Sequence, residues 1–325
     1  MPKFAARGLL ALASVGIVYA MPQVIADLPP PAPANVTVAF AGDIMLDRDV
    51  AVAARTRGAD YIVASTTALF EGSDVRVANL EGAITASSSI AQIDHHILRF
   101  TFEPAVAEAI LTTLHMSAVS LANNHVLDFG AGGYDETRVR LAAWGIHSFG
   151  HPFNTDNLSI AITSKGKTVC FVGYTQVFSQ DEESPVVEEI ARIHNGCWRT
   201  VVFAHWGVEY SPTYTAAQQR AAHDFIDAGA DLVVGAHPHA VEPVEIYRGH
   251  AIFYSLGNFI FDQNFSWAVE HGLVVRVGFS DTQTDVMLMP MQIYEEHASV
   301  AESLDSQRIL NIAGEPQHFA LPVAP

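Results

Sequence analysis

Apolar and polar positions along this chain alternate between two periods. Short apolar runs of strand length give way to stretches with helical spacing, and polar residues gather where the runs stop. Residues 35–41 predict a strand ending at Gly42-Asp43, with a helix over 51–70 behind it. Residues 74–79 predict a second strand running into Leu80-Glu81-Gly82, then a helix over 104–114. A strand over 118–121 leads to Asn123-Asn124-His125, and a helix over 134–144 follows. Residues 158–163 and 168–174 predict a hairpin around Lys165-Gly166-Lys167. A helix over 185–194 precedes a strand over 200–204 that ends in His205-Trp206-Gly207. A helix over 216–228 comes next, and strands over 272–279 and 285–294 close the body. The polar stretch from Ala298 predicts a last helix near 303–312. Strand alternating with helix, without internal repeat or linker, is the pattern of an α/β fold.

The stretch 231–263 is the most informative. Leu232–Val234 reads as a buried strand, Gly235 allows close backbone approach, and His237 and His239 follow around Pro238. Alternate residues of an extended segment point the same way, so the two imidazoles aim at one place. Four other strands also end in polar residues: Asp43; Glu81; Asn124 with His125; and His205. Each has an ordinary reading alone, as a helix cap (Asp43), a turn acid (Glu81), a turn amide (Asn124) or a core histidine (His205). Together they are oxygen and nitrogen donors at the carboxyl ends of strands, where α/β sites form, and they suit one or two ions of Zn, Mn or Fe. Arg48 is a candidate anion clamp or an exposed ion pair, and Asn258 lines the cleft or serves a turn beside Gly257. His95-His96 read as a loop pair, Trp206 and Tyr210 as core with a substrate-facing role as the alternative, and Asp181-Glu182-Glu183 as a solvated run capping the next helix.

Composition narrows the function classes. Half of the residues are hydrophobic, 16% are charged, and the net charge is −18. Such a surface repels nucleic acid and anionic lipid. Residues 1–26 carry Lys3 and Arg7 ahead of a 13-residue apolar run with small residues after it, the pattern of a secretory signal or a retained anchor. Residues 27–35 are a proline-rich spacer, 36–297 the folded body and 298–325 a C-terminal extension. The expected location is periplasmic or extracellular, with membrane anchoring through residues 1–26 as the alternative. Cys170 and Cys197 either pair in an oxidising compartment or leave Cys170 as a plain core residue.

The blocks FAGDIMLDR (40–48), NLEGAIT (79–85), LANNHVLDFG (121–130), AHWGVEY (204–210), GAHPHAVEPVEIY (235–247) and FYSLGNFIFDQ (253–263) resemble the CapA-type capsule-synthesis family. This is the poly-γ-glutamate biosynthesis branch of the calcineurin-like metallophosphatase superfamily. The resemblance implies a metallophosphatase-like four-layer α-β-β-α sandwich with two mixed sheets. Carried over by position, Asp43 and His239 would bind a first metal, Asn124, His205 and His237 a second, and Glu81 would bridge. His125 would be the catalytic acid. Two departures stand out: Met45 occupies the place of a ligand histidine, and Glu81 replaces a bridging aspartate. The resemblance further implies an exported metal-dependent hydrolase or polymer-processing protein using one or two divalent ions. Its partners would be an anionic cell-envelope polymer or precursor and membrane-bound capsule-synthesis machinery. The alternative is a non-catalytic polymer-binding or export component on the same scaffold.

Overall fold

The computed structural model describes residues 34–177 and 183–323. The expected leader and nearly all of the proline-rich spacer lie outside the described residues, as do Asp181 and Glu182. Glu183 stands at a helix N-cap, but its side chain makes no capping bond.

In chain order the first half contains β1 (Val36–Ile44), α1 (Arg48–Arg57), α2 (Ala59–Val63), a 3-10 turn (Ala64–Phe70), β2 (Val75–Leu80), β3 (Ala83–Ile84), β4 (Thr101–Phe102), α3 (Pro104–Thr113), β5 (Ala118–Ser120), α4 (Gly130–Ala143) and β6 (His147–Phe149). The second half contains β7 (Ser159–Ser164), β8 (Lys167–Thr175), α5 (Ser184–Ile193), β9 (Arg199–His205), α6 (Ala216–Asp227), β10 (Leu232–Ala236), β11 (Val244–Tyr247), β12 (His250–Phe253), β13 (Asn258–Ile260), β14 (His271–Phe279), β15 (Gln283–Tyr294), β16 (His297–Val300), α7 (Ser303–Ala313) and β17 (His318–Pro322). The helix expected over 51–70 is three pieces. Gly58, at φ +93°, ends α1 in a conformation open to glycine, and the run Ser65-Thr66-Thr67 continues only as 3-10 turn.

Two mixed sheets form the middle. The larger runs β16-β15-β14-β1-β2-β5-β6, with β13 beside β1 and β17 beside β15. Its centre is parallel and its β14–β15 side antiparallel. The smaller runs β11-β12-β10-β9-β8-β7, parallel from β8 to β12 with an antiparallel strand at each edge. Val38, Phe40, Val77 and Val275 of the first sheet share one buried cluster with Phe171, Phe203, Val234 and Phe253 of the second. The rings of Phe40, Phe171 and Phe203, with centroids 6.3 and 6.5 Å from Phe40 to its two neighbours, close the sheets face to face. Helices cover the outside. Val202, Ala204 and Ile252 pack outward against Val186 and Ile190 of α5 and Phe225 of α6. On the far side Arg76 projects away from the core, over the Phe70 ring and onto the Leu114 carbonyl. The expected sandwich of two mixed sheets with helical outer layers is therefore present.

Gly235 shows how tightly the sheet is threaded. A Cβ there would lie 1.9 Å from the Tyr254 carbonyl oxygen, so only glycine lets β10 pass. Trp206 fills the space beside it, fully buried, with its indole N–H donating to that same oxygen at 2.8 Å. Cys170 of β8 and Cys197 are joined by a disulfide across 27 residues of sequence, with Cα atoms 5.8 Å apart. Among the described residues no helix is long and apolar enough to cross a membrane.

A loop of that length implies about 3–4 kcal/mol of stabilisation through the unfolded chain. Cys197→Ser is expected to lower the melting temperature in non-reducing buffer by several degrees. A reductant should bring the parent down to the variant and leave the variant unmoved.

Candidate metal centre

Register places the first group of side chains. Asp43 sits near the end of β1, opposite Asn79 of β2 on one side and Asn258 of β13 on the other. Residues in register share a face, so two amides flank one carboxylate. His205 is the last residue of β9 and lies opposite Ala236, the residue before His237. His237 and His239 then take left-handed backbone, φ +96° and +54°, a strained conformation for side chains of this size. Asp43, Glu81, His205, His237 and His239 are all buried.

These residues converge with Asn124 and His125, although they come from five separate parts of the chain. Glu81 Oε1 lies 3.8 Å from His239 Nε2, 3.9 Å from His205 Nε2 and 4.0 Å from His125 Nε2. The His205 and His237 rings are 4.6 Å apart, and Asn124 Oδ1 is 2.7 Å from His205 Nε2. Two potential ligand groups result, Glu81 with His205 and His237, and Asp43 with Glu81 and His239, sharing Glu81. Glu81 is therefore the residue common to both groups.

The donor set fits a cation. Both carboxylate oxygens of Glu81 and Nδ1 of His237 are buried without a hydrogen-bond partner. Separations of 3.8–4.0 Å are too long for hydrogen bonds, whereas donors about 2.0–2.2 Å from a shared ion would span such gaps. The electrostatics carry the same strain. Burial, then the Asp43 charge, pushes the Glu81 carboxyl well up. Burial, then the neighbouring histidines, holds His205 well below its ordinary value. His237 is lowered to about 4 by burial and His239. Burial also depresses His239, but Glu81 and Asp43 outweigh it and raise the ring to about 9. Met45 adds no nitrogen donor. It is fully buried, and its Sδ lies 3.1 Å from the Asp47 amide.

Several residues that the sequence did not single out hold this arrangement. Asn123 Oδ1 accepts the backbone N–H of His125 and Val126, which fixes its amide orientation. Its NH₂ therefore donates to Asn79 Oδ1 at 3.0 Å and to the Leu80 carbonyl at 2.8 Å. The Asn79 NH₂ is left to donate to Asp43 Oδ1 at 2.8 Å and to face His205 Nδ1 at 3.2 Å. One visible signal was a polar residue inside the apolar strand 75–80. Asp128 accepts from His125 Nδ1 at 2.8 Å and so orients the ring from three residues downstream. Asp47 receives Ser89 Oγ, Gln92 Nε2 and the Thr101 and Arg48 amides, tying the 85–101 loop to β1. That loop carries Phe100, whose ring lies 4.4 Å from His125.

Two expectations meet a different placement. Asn258 does not line the cleft. It is fully buried behind His239, accepting from Nδ1 at 2.9 Å, which leaves Nε2 directed at Glu81. Arg48 is not an exposed ion pair: its guanidinium is buried against Asp262 and sandwiched between Phe100 and Phe261, 5.0 and 5.8 Å from their centroids. Phe261 in turn meets the His239 ring at 5.0 Å. Tyr210, read as core, is a partly exposed residue stacked on His239. His95 and His96 are exposed loop residues, as expected.

Comparison with known proteins bears on the same residues. The model of the family described as bacterial capsule synthesis protein PGA_cap matches residues 37–263. The PGA biosynthesis protein CapA of Bacillus subtilis is 31% identical over 254 residues, 73% of this chain and 66% of that protein. The capsule biosynthesis protein CapA of Bacillus anthracis is 28% identical over 301 residues, 85% of this chain and 72% of that protein. The aligned stretch thus spans about two thirds of the first relative's length. Among solved structures, a hypothetical protein from Thermus thermophilus gives a TM-score of 0.48 at 11% identity, covering 88% of this chain and 99% of that one. A putative 5′-nucleotidase from Staphylococcus aureus also gives 0.48, at 13% identity, covering 89% of this chain and 54% of that one.

Asn79→Leu keeps the size of the side chain but removes its donors and acceptor. It is expected to weaken Mn²⁺ binding by about 10- to 100-fold in calorimetry while the protein stays folded. A second test concerns Glu242, a buried acid bonded to Gln218 of α6. Gln218 Nε2 donates to Oε2 at 2.9 Å, and Oε1 has no partner. Burial raises its carboxyl to about 7 from an ordinary 4.5. Between those values the fold keeps a proton that the unfolded chain has released, so stability falls as pH rises through the window. Glu242→Gln should raise the melting temperature at pH 8, and the difference should shrink toward zero at pH 5.

Proposed function

We propose, from the premise that this chain belongs to the bacterial capsule synthesis protein family PGA_cap, that it is a metal-dependent hydrolase or processor of a cell-envelope polymer or its precursor. The observation that carries this reading is the buried Glu81 carboxylate, without a hydrogen-bond partner and facing three imidazoles. Glu81, His205, His237 and Asn124 would hold one divalent ion, and Asp43, Glu81 and His239 a second. A bound divalent ion supplies Lewis acidity toward a phosphoryl or carbonyl oxygen.

The remaining work falls to the chain's own residues. Asp128 accepts from the Nδ1–H of His125; in its doubly protonated form the ring would present Nε2–H to the site and hand that proton to a departing oxygen or nitrogen, keeping the Nδ1–H on Asp128. Phe100 covers that ring and keeps bulk water from it. Asn258 fixes the His239 ring, and the Asn79–Asn123 pair fixes Asp43 relative to His205. The candidate bonds are a phosphoester and an amide of γ-glutamyl type. Export through residues 1–26 belongs to the same proposal, and the Cys170–Cys197 bond is consistent with an oxidising compartment.

A polymer-holding, non-catalytic role is the second reading. It draws support from Met45, whose sulfur contacts the Asp47 amide, so that among the described residues the Asp43 group comprises three carboxylate and imidazole donors.

Metal analysis of the purified protein, His205→Ala and His237→Ala should show bound metal in the parent and its loss in both variants. Equal content in all three would refute the centre. His125→Ala should retain metal and lower turnover of a phosphodiester or γ-glutamyl substrate by about 10²- to 10⁴-fold. Absence of turnover in a metal-loaded parent on both substrate classes would favour the polymer-holding role.

A further inference from the structure

The mouth of the centre carries an aromatic lip that ligand binding by the histidines does not require. Tyr210 has φ +63°, a strained backbone for a tyrosine, and four contacts hold it there. Its amide donates to the Pro238 carbonyl at 2.8 Å, inside the His237-Pro238-His239 segment itself. Its ring stacks on His239 at 5.8 Å, with 29° between planes. Its hydroxyl accepts from Gln263 Nε2 at 3.2 Å, and Phe265 meets the ring edge-on at 5.1 Å. Gln263 Oε1 accepts from Asn258 Nδ2 at 3.0 Å, and Asn258 Oδ1 accepts from His239 Nδ1 at 2.9 Å. A closed circuit of side chains therefore links the lip to the buried site.

Despite this anchoring, Tyr210 is 44% exposed, Phe265 62% and Val208 56%, and Glu209 between them is exposed as well. Because Gln263 donates to the Tyr210 oxygen, the phenol proton is free to turn toward the adjacent Glu209. Residues 206–215 and 263–270 contain no lysine or arginine. The nearby guanidinium of Arg48 is already paired with Asp262. Two exposed aromatic rings and a carboxylate, with no cation among them, repel anions and attract an organic cation.

We propose that Glu209, Tyr210 and Phe265 form a subsite for a primary ammonium group, so that the centre receives the free amino end of an amide-linked chain. The assignment rests on the reading that the centre acts on a polymer of this kind. The ammonium lies at the lip, its charge facing Glu209 and its methylene neighbours on the rings. The chain's first amide then points inward past His239, and the acidic side groups face away from Glu209.

The test uses the metal-loaded protein and two probes, a γ-linked glutamate trimer with a free amino end and the same trimer N-acetylated. Calorimetry should give the free amine about tenfold tighter binding. Glu209→Gln, which preserves size, and Phe265→Ala should each bring the two probes within about twofold while metal content stays at the parent level. Equal affinity in the parent, a preference that survives Glu209→Gln, or no binding of either probe at millimolar concentration would overturn the subsite. An amine preference without cleavage would overturn only the hydrolase reading.

Discussion

A carboxylate sealed from water with nothing to accept from is the group on which this structure turns. Glu81 is fully buried, both oxygens lack partners, and three imidazole nitrogens stand about 4 Å from one of them. Burying that charge unpaired would cost several kcal/mol, and burial with the neighbouring Asp43 accordingly drives the carboxyl toward its neutral form. The surrounding groups respond in opposite directions, with His205 and His237 driven toward the neutral form and His239 toward the charged one. A cation among them would relieve all of these tensions together.

Around that group the protein builds with neutral amides. Asn258, Asn79 and Asn123 each touch a ligand residue or the residue that fixes one; backbone groups set the orientation of Asn258 and Asn123, and Asn123 in turn sets that of Asn79. An amide offers both donor and acceptor without adding charge, so it can align a histidine without competing for the ion. Charged residues act one layer further out. Asp47 gathers four donors to pin the loop bearing Phe100, and Asp262 neutralises Arg48 between Phe100 and Phe261. The rings of Phe100 and Phe261 then rest on His125 and His239. Most of the electrostatic stress thereby falls at the centre, while in the shell Arg48 Nε also lacks a partner.

The two faces of the site differ in character. The His205 side is closed by Trp206, Tyr174 and Phe225, all fully buried. The His239 side opens onto Tyr210 and Phe265, aromatic rings left in water. Strained backbone at His237, His239 and Tyr210 marks the boundary between them, in the part of the chain where ligand donors and lip meet.

The sequence by itself determined the alternation of strands and helices, and it marked out six candidate ligand residues with His125. Both are local signals: apolar runs end where polar donors begin, and a strand's end fixes where the next side chain points. The His237-Pro238-His239 spacing and the need for glycine at 235 were legible for the same reason. The tertiary structure alone decided what stands behind those residues. Asn79 and Asn258 flank Asp43 because β1 pairs in parallel with both β2 and β13, a register set by packing far along the chain. Of the alternatives left open for Asn258 and Arg48, the cleft wall and the exposed ion pair are the ones that the fold does not realise. Cys170 and Cys197 are joined because β8 and β9 are neighbours, which spacing could not say. Strand pairing is a long-range choice among many near-equal alternatives, and hydrogen-bond partners follow from it. For that reason the donors were readable one by one, whereas the network that orients them required the assembled fold.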